Sequence, residues 1–201
     1  MEREERDITE NPPDKELLKK ARGGDEDAFN VLHERYRLKI FNYLLRFFGN
    51  REIAADVTQD TFIQVYKNLR SYRGEGEVSS WIYQIATNRA KNALRKISRQ
   101  RHVSLNQDVS DEGVTQLGDL IDSHVASPAD MAKRHELLKD LQGLISVLPV
   151  KYRTAFILCE MQGLSYEEAG RVLRCSPNAA AMRLSRAKAQ LRKKINWSRY
   201  L

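Results

Sequence analysis

The chain has 201 residues, a formal net charge of +7, 41% hydrophobic and 30% charged residues, and two cysteines. This composition is typical of a globular protein with one large or two small domains, and it excludes a chain that is disordered throughout. No apolar run reaches the roughly 20 residues of a membrane-spanning helix, and two thiols cannot form a disulfide framework or a four-ligand zinc site. We therefore expect a cytoplasmic protein without a secretory signal or direct membrane insertion.

The N-terminal half is predicted to be helical. Residues 1–14 are polar and lack periodicity, which indicates a flexible leader. From Glu16 onward apolar residues follow a helical period that ends at Gly49-Asn50, and a second helix is predicted over residues 51–70. A glycine-containing loop at 71–78 then precedes a third helix that Ser79 or Ser80 can cap. We assign residues 15–101 to an N-terminal helical domain.

An acidic linker is predicted between two domains. Residues 102–126 lack helical periodicity and are rich in Asp, Ser and Gly, and such a stretch is too long for an ordinary loop. Ser127-Pro128 combines a capping serine with proline at the first helical position, so a new helix is predicted to begin there. Residues 127–201 form the second helical domain. The predicted fold class is therefore all-α, with two small helical domains joined by a flexible acidic linker.

The C-terminal domain carries the pattern of a helix-turn-helix. Ser165 and Glu168 form a capping box that opens a short helix ending at Leu173. A short turn follows, and Ser176-Pro177 starts a second, basic helix. Two helices joined by a turn of three or four residues place the second helix in the major groove of DNA. The alternative is an ordinary helical hairpin with a solvated basic face.

The start of the second helix is expected to face the DNA groove, with arginine as the most frequent reader of guanine. The predicted DNA-binding residues of the helix-turn-helix are Ser176, Asn178, Ala181, Met182, Arg183, Ser185, Arg186 and Lys188.

A second cationic surface is predicted in the N-terminal domain. Residues 78–107 contain no acidic side chain, and residues 171–201 contain none either, whereas the only formal charges between residues 102 and 132 are acidic. Cations and amides recur every three or four residues on one face of the third helix, beside aromatic residues that are able to stack on unpaired bases. The predicted contacts are Tyr72, Arg73, Trp81, Asn88, Lys91, Asn92 and Arg95. The alternative is that Trp81 and Tyr83 belong to the core and that the stripe is only solvated.

The second helix carries charges of the opposite sign. Glu52, Asp56 and Asp60 recur every four residues beside Gln59. Like charges at this spacing are mildly destabilising, so an external partner would account for them better than solvation alone. A solvated surface is the alternative.

Nothing in the sequence indicates catalysis. The four histidines are scattered, with no metal-ligand spacing, phosphate-binding loop or nucleophile-base motif nearby. We expect no enzyme activity, no cofactor or metal, and no small-molecule substrate.

Several motifs together resemble a known family. They are Asp56-Val-Thr-Gln-Asp-Thr-Phe62, Tyr72-Arg-Gly-Glu75, Ser80-Trp-Ile-Tyr-Gln-Ile-Ala-Thr-Asn-Arg89, Leu148-Pro-Val-Lys-Tyr-Arg153, Gly163-Leu-Ser-Tyr-Glu-Glu-Ala169 and Arg183-Leu-Ser-Arg-Ala-Lys188. In this order they resemble a bacterial RNA polymerase sigma factor of the extracytoplasmic-function group, from Glu16 to about Lys194. Ala179-Ala-Ala181 and Val78 depart from the residues that many relatives carry there.

The resemblance implies that the protein binds core RNA polymerase and directs it to promoter DNA, both double-stranded and locally melted. It implies that the N-terminal cationic face recognises and opens the minus-ten element and that the second helix of the helix-turn-helix reads the minus-thirty-five element. It also implies an anti-sigma partner. The polymerase-binding residues it implies are Glu52, Asp56, Gln59, Asp60 and Phe62.

The alternative is a free-standing transcription regulator whose N-terminal domain senses a ligand or oligomerises. Such a regulator would not need the acidic stripe.

Overall fold

The structure is a computed structural model that describes residues 12–72, 76–103 and 140–194. Its N-terminal part contains α1 (Asp14–Arg22), α2 (Glu26–Phe48), α3 (Arg51–Lys67), a 3-10 turn (Leu69–Ser71) and α4 (Val78–Val103). Its C-terminal part contains helical residues 140–146, here α5, then α6 (Val150–Phe156), a π-helical turn (Ile157–Met161), α7 (Tyr166–Leu173) and α8 (Pro177–Lys194). The predicted all-α fold with two helical domains is confirmed.

Several of the sequence-based predictions fall partly or wholly outside the described residues. The leader falls there up to residue 11, the linker from residue 104 onward, and the helix start at Ser127-Pro128 entirely. The domain boundaries at 101 and 127 stay predictions, and α4 extends two residues beyond the first of them. Among the described helices, none is sufficiently long and apolar to span a membrane.

Helix ends in the N-terminal part follow local capping chemistry. The Asp25 carboxylate accepts a hydrogen bond from the Ala28 amide at 3.0 Å, and the Asn50 side chain accepts one from the Ile53 amide at 2.9 Å. Gly49 ends α2 in the left-handed region with φ 69°. The helix predicted from Glu16 is in fact two helices, because the chain turns at Gly24, whose φ of 97° is unfavourable for other residues.

Helix α1 is bound to α2 through polar contacts at its start. Asp14, which the sequence analysis placed in the leader, lies in α1 and accepts hydrogen bonds from Arg35 and Tyr36. Leu17 and Leu18 on the same helix are buried. These contacts fix α1 against the helical bundle.

The core of the N-terminal part is centred on α2, which packs against α1, α3 and α4. Tyr43 is fully buried there, and its hydroxyl shares a hydrogen bond of 2.9 Å with the Thr87 hydroxyl of α4. Burial raises the pKa of Tyr43, so the phenol stays neutral and the polar pair is satisfied within the core.

The two helical parts also pack against each other, which the sequence did not predict. Gln142 donates from Nε2 to the Arg46 carbonyl at 3.0 Å, and Arg153 donates from Nη1 to the Phe47 carbonyl at 3.1 Å. These bonds satisfy carbonyls in the last turn of α2 that have no partner within the helix. Tyr83 adds a hydrogen bond of 2.9 Å to Gln162, and apolar residues of both parts form one continuous core.

Replacing Gly170 with alanine is expected to destabilise the protein by roughly 1–3 kcal/mol. A Cβ at this position would lie 2.8 Å from the Cys175 carbonyl oxygen, so the turn between α7 and α8 would have to move. Urea denaturation of the full chain measures the effect. Gly143→Ala in α5 is the matched control, since its Cβ would meet nothing within 4 Å. Equal stability of the two variants would contradict this reading of the turn.

Candidate nucleic-acid and protein interfaces

Local hydrogen bonds fix the geometry of α7, the turn and α8. The Ser165 amide donates to Glu168 Oε2 at 2.8 Å, and the Glu168 amide donates to the Ser165 hydroxyl at 3.2 Å, so the predicted capping box is present. The Ser176 hydroxyl accepts from the Ala179 amide at 3.2 Å and caps α8. These caps define where each helix begins, and Gly170 lets the turn approach α7 closely.

Helix α8 has a packing face and an open face. Ala180, Leu184, Ala187 and Leu191 are buried against the domain. On the open face Ser176, Asn178, Met182, Ser185 and Arg186 are exposed, and Ala181, Arg183 and Lys188 are half-buried. All eight predicted contact residues thus lie in the cap or in α8 itself, with Met182 57% exposed. The surface is cationic and open, as a groove-binding helix requires.

Two cations of this surface have partners within the protein. Lys188 forms an ion pair of 2.8 Å with Glu160 in the π-helical turn. A hydrogen bond from the Arg186 guanidinium is the main cause that lowers the pKa of Tyr152. Local sequence patterns indicate neither contact, because Glu160 and Tyr152 precede their partners Lys188 and Arg186 by 28 and 34 residues.

The predicted polar stripe of α4 lies largely on the surface. Asn88, Asn92 and Arg95 are exposed, and Lys91 is half-buried. Burial lowers the pKa of Lys91, and the charges of Arg183, Arg95 and Arg174 lower it further. This face therefore carries an excess of positive charge without an acidic side chain on its own helix.

The aromatic residues of this surface are less accessible than predicted. Tyr72 is only 6% exposed, its ring lies 5.1 Å from that of Trp81, and its hydroxyl donates to the Gly76 carbonyl at 2.9 Å. Trp81 is half-buried, and Arg73 lies outside the described residues. We therefore no longer expect the Tyr72 ring to stack on bases. In this structure the ring packs against Trp81, and the hydroxyl is hydrogen-bonded to the backbone at Gly76.

The acidic stripe of α3 is exposed along its length. Glu52, Asp56, Gln59 and Asp60 all lie on the surface, as their spacing of three and four residues predicts. Phe62 is an exception with 6% exposure, and its ring lies 4.6 Å edge-on from that of His33. Phe62 follows Asp60 by two residues, which corresponds to a rotation of about 200° around a helix. Its side chain therefore points away from the acidic stripe and packs against α2.

A groove between α2 and α3 was missed by the sequence analysis. It encloses about 810 Å³ and is lined by residues of both helices, including Gln59 of the acidic stripe. Leu38, Ile63 and Tyr66 line it and are 57%, 43% and 52% exposed. Exposed apolar residues grouped beside charged ones are typical of protein-binding surfaces. The sequence contains one indication of this groove: these three apolar side chains do not lie on the apolar stripes that predict the core-facing sides of their helices.

Neither a cluster of metal-ligating side chains nor an exposed thiol stands out in the part of the chain that is described. No group of three or more His, Cys, Asp or Glu side chains is placed there to hold an ion. Cys159 is half-buried, and burial raises the pKa of its thiol.

Comparison with known proteins gives two family matches and relatives that align with this chain over most of their length. Residues 32–100 match Sigma-70 region 2, and residues 138–191 match Sigma-70, region 4. The RNA polymerase sigma-H factor of Pseudomonas aeruginosa is 32% identical over 182 residues, which cover 90% of this chain and 93% of that protein. The ECF RNA polymerase sigma-E factor of Escherichia coli K12 is 31% identical over 188 residues, covering 94% and 97%.

Two solved structures share the fold. CnrH in complex with the cytosolic domain of CnrY has a TM-score of 0.64 and 21% identity, covering 90% of this chain and 95% of that one. The sigma factor RpoE in complex with the anti-sigma factor NepR from Bartonella quintana has a TM-score of 0.64 and 20% identity, covering 84% and 98%.

Replacing Glu160 with glutamine is expected to strengthen non-specific DNA binding, because it releases Lys188 from its ion pair. One additional phosphate contact would steepen the log–log salt dependence by up to about 0.9. Fluorescence anisotropy with a DNA duplex across a KCl series measures this slope. In a Lys188→Ala background the same change is expected to have no effect. A gain that persists in that background would show that Lys188 is not the released cation.

Proposed function

This chain belongs to the extracytoplasmic-function sigma factors of bacterial RNA polymerase. We propose that its acidic face binds the polymerase and that its cationic faces bind promoter DNA. The protein is a promoter-recognising sigma factor whose partners are core RNA polymerase and promoter DNA. The observation that carries the proposal is the separation of charge: the acidic stripe lies on α3, whereas the cations lie on α4 and α8. A free-standing regulator would leave the match to region 2 unexplained.

We place the polymerase contact on α3. Glu52, Asp56, Gln59 and Asp60 offer an exposed acidic stripe, and the apolar groove between α2 and α3 lies directly beside it. A surface that combines apolar anchors with a charged rim provides both buried area and orientation. Phe62 contributes from the inside by holding α3 on α2.

We place the DNA contacts on α8 and α4. The open face of α8 would enter the major groove at the minus-thirty-five element. Asn178 and Arg186 are of the residue types that form paired hydrogen bonds with base edges. Asn88, Lys91, Asn92 and Arg95 would contact the minus-ten element as it melts, together with Trp81 and Arg73. Tyr72 would act on this surface indirectly, by supporting the adjoining backbone.

Three further features of the proposal follow from family membership. The protein would act in the cytoplasm, would have no enzymatic activity or cofactor of its own, and would be held inactive by an anti-sigma protein. Support for the last point is that the two solved structures described above each contain a chain of this fold bound to a second protein, which is named as an anti-sigma factor in one of them.

Reversing the charge of Asp60 to arginine is expected to weaken binding to core polymerase at least about tenfold, because like charges across an interface are strongly unfavourable. Co-purification and a binding titration with core enzyme measure the loss. Asp27→Arg is the control, since Asp27 is an equally exposed acid in the first turn of α2 and lies off the stripe. Binding by the Asp60 variant that matches the control would refute the placement on α3.

Removing Arg186 is expected to change which promoter sequences the protein prefers, by roughly 1–3 kcal/mol at one base pair. Selection from a randomised minus-thirty-five element, followed by sequencing, measures the preference of Arg186→Ala. Lys188→Ala is the matched variant, for which we expect an unchanged sequence preference, because Lys188 is held in the ion pair with Glu160. If both variants keep the original preference, Arg186 contacts phosphate rather than a base.

A further inference from the structure

Helix α1 contacts the surface on which we place the minus-ten element, although α1 lies outside the match to region 2, which begins at residue 32. The helix packs against the 3-10 turn and against α4. At its last residue, the Arg22 guanidinium donates from Nη1 to the Tyr72 carbonyl at 3.3 Å. In its first turn, Lys15 forms an ion pair of 3.6 Å with Glu77. One end of α1 is therefore bound to the residue that follows the 3-10 turn, and the other end to the residue that precedes α4.

Both partners of α1 also hold Trp81. The centroid of the Tyr72 ring lies 5.1 Å from that of Trp81, and the Glu77 carbonyl accepts a hydrogen bond from the Trp81 amide at 3.2 Å. The Tyr72 hydroxyl donates to the Gly76 carbonyl at 2.9 Å, next to Glu77 in the chain. Trp81 is half-buried, so it remains partly accessible to a partner. Its position is thus fixed by the two residues that α1 contacts.

Helix α1 is itself anchored, so it can fix the residues that it contacts. Asp14 accepts hydrogen bonds from two side chains of α2, and Leu17 and Leu18 are buried in the core. The helix is bound by both polar and apolar contacts along its length, and it provides a fixed base for Arg22.

The Arg22 bond is the stronger of the two contacts that α1 makes with this surface. A hydrogen bond from a charged donor is roughly twice as strong as one between neutral groups. The ion pair between Lys15 and Glu77 is more than half exposed on both sides, and exposed ion pairs contribute little because water and salt screen them. Arg22 is itself exposed, so its contribution is this bond to Tyr72 and not the filling of the core.

We propose that Arg22 is a positioning residue for promoter opening: through the Tyr72 carbonyl it holds the Tyr72 ring against Trp81, and it thereby presents Trp81 to the minus-ten element as the DNA melts. Arg22 acts through these two residues and does not touch the DNA. A contact that is held in place before binding loses less conformational freedom on binding. The inference rests on the proposed function, in which Trp81 contacts melted DNA, and it adds a residue from a helix that the region 2 match does not include.

The test compares variants of the full chain bound to core RNA polymerase, at a promoter identified by run-off transcription. Permanganate reactivity of the minus-ten thymines measures the open complex. Arg22→Met removes the donor, and we expect it to reduce open-complex formation about three- to tenfold, the effect of one hydrogen bond. Arg22→Lys keeps a charged donor and is expected to restore part of this loss. Lys19→Met removes another exposed cation from the same helix and is the matched control, expected to behave like the parent chain.

A second measurement follows Trp81 directly. The chain has two tryptophans, so in a Trp197→Phe background the fluorescence comes from Trp81 alone. We expect Arg22→Met to increase the quenching of Trp81 by acrylamide in the folded chain, and Lys19→Met to leave it unchanged. A role of Arg22 in stability alone would lower the urea midpoint of unfolding and leave the quenching of the folded chain as it is in the parent.

Equal open-complex formation by Arg22→Met and Lys19→Met, at equal occupancy of core polymerase, overturns the proposal. A loss of open complexes without a change in Trp81 quenching overturns it as well, because Arg22 would then act by a route that does not include Trp81. The proposed function fails separately: if the parent chain does not support initiation, the role of Trp81 at the promoter is refuted, whereas the quenching experiment still shows whether Arg22 positions Trp81.

Discussion

Burial of α2 is the constraint on which the arrangement of both interaction surfaces depends. This helix packs against α1, α3 and α4 at once, and its last turn is capped by side chains of the C-terminal part. Because α3 and α4 must turn their apolar sides toward α2, their polar sides face outward in fixed directions. The acids of α3 and the cations of α4 are therefore displayed on different surfaces of one rigid bundle, and each can meet a partner of opposite charge without interference from the other.

The C-terminal part applies the same principle on a smaller scale. Four apolar side chains of α8 are buried, and the remaining faces of the helix carry its cations. The short turn after α7 can be this tight because Gly170 has no side chain to meet the Cys175 carbonyl. Within this same part, Lys188 forms an ion pair with Glu160, and the Arg186 guanidinium lies near the Tyr152 hydroxyl. The strength of nucleic-acid binding is thus tied to contacts inside the protein as well as to the exposed helix.

Local sequence patterns predict much of this organisation, and the features that they do not predict have physical causes. Capping by Ser165, Glu168 and Ser176 depends on neighbouring residues alone, so the helix-turn-helix could be predicted residue by residue. The stripes of α3 and α4 likewise follow from helical spacing. Long-range contacts are different: Gln142 and Arg153 cap a helix about 100 residues away, and no periodicity reveals this. The burial of Tyr72 and the apolar groove beside α3 also depend on how helices pack against one another. Phe62 was expected to contact the polymerase because of the family resemblance and not because of its helical spacing.

We propose that one chain joins a polymerase to a promoter through a negative surface and a positive one. Run-off transcription with purified core RNA polymerase on fragmented genomic DNA from the source bacterium, with and without this chain, tests it most directly. We expect discrete transcripts that require the chain and start at a defined distance from a shared pair of sequence elements. Unchanged transcription after the chain is added, despite a correctly folded protein, would contradict it.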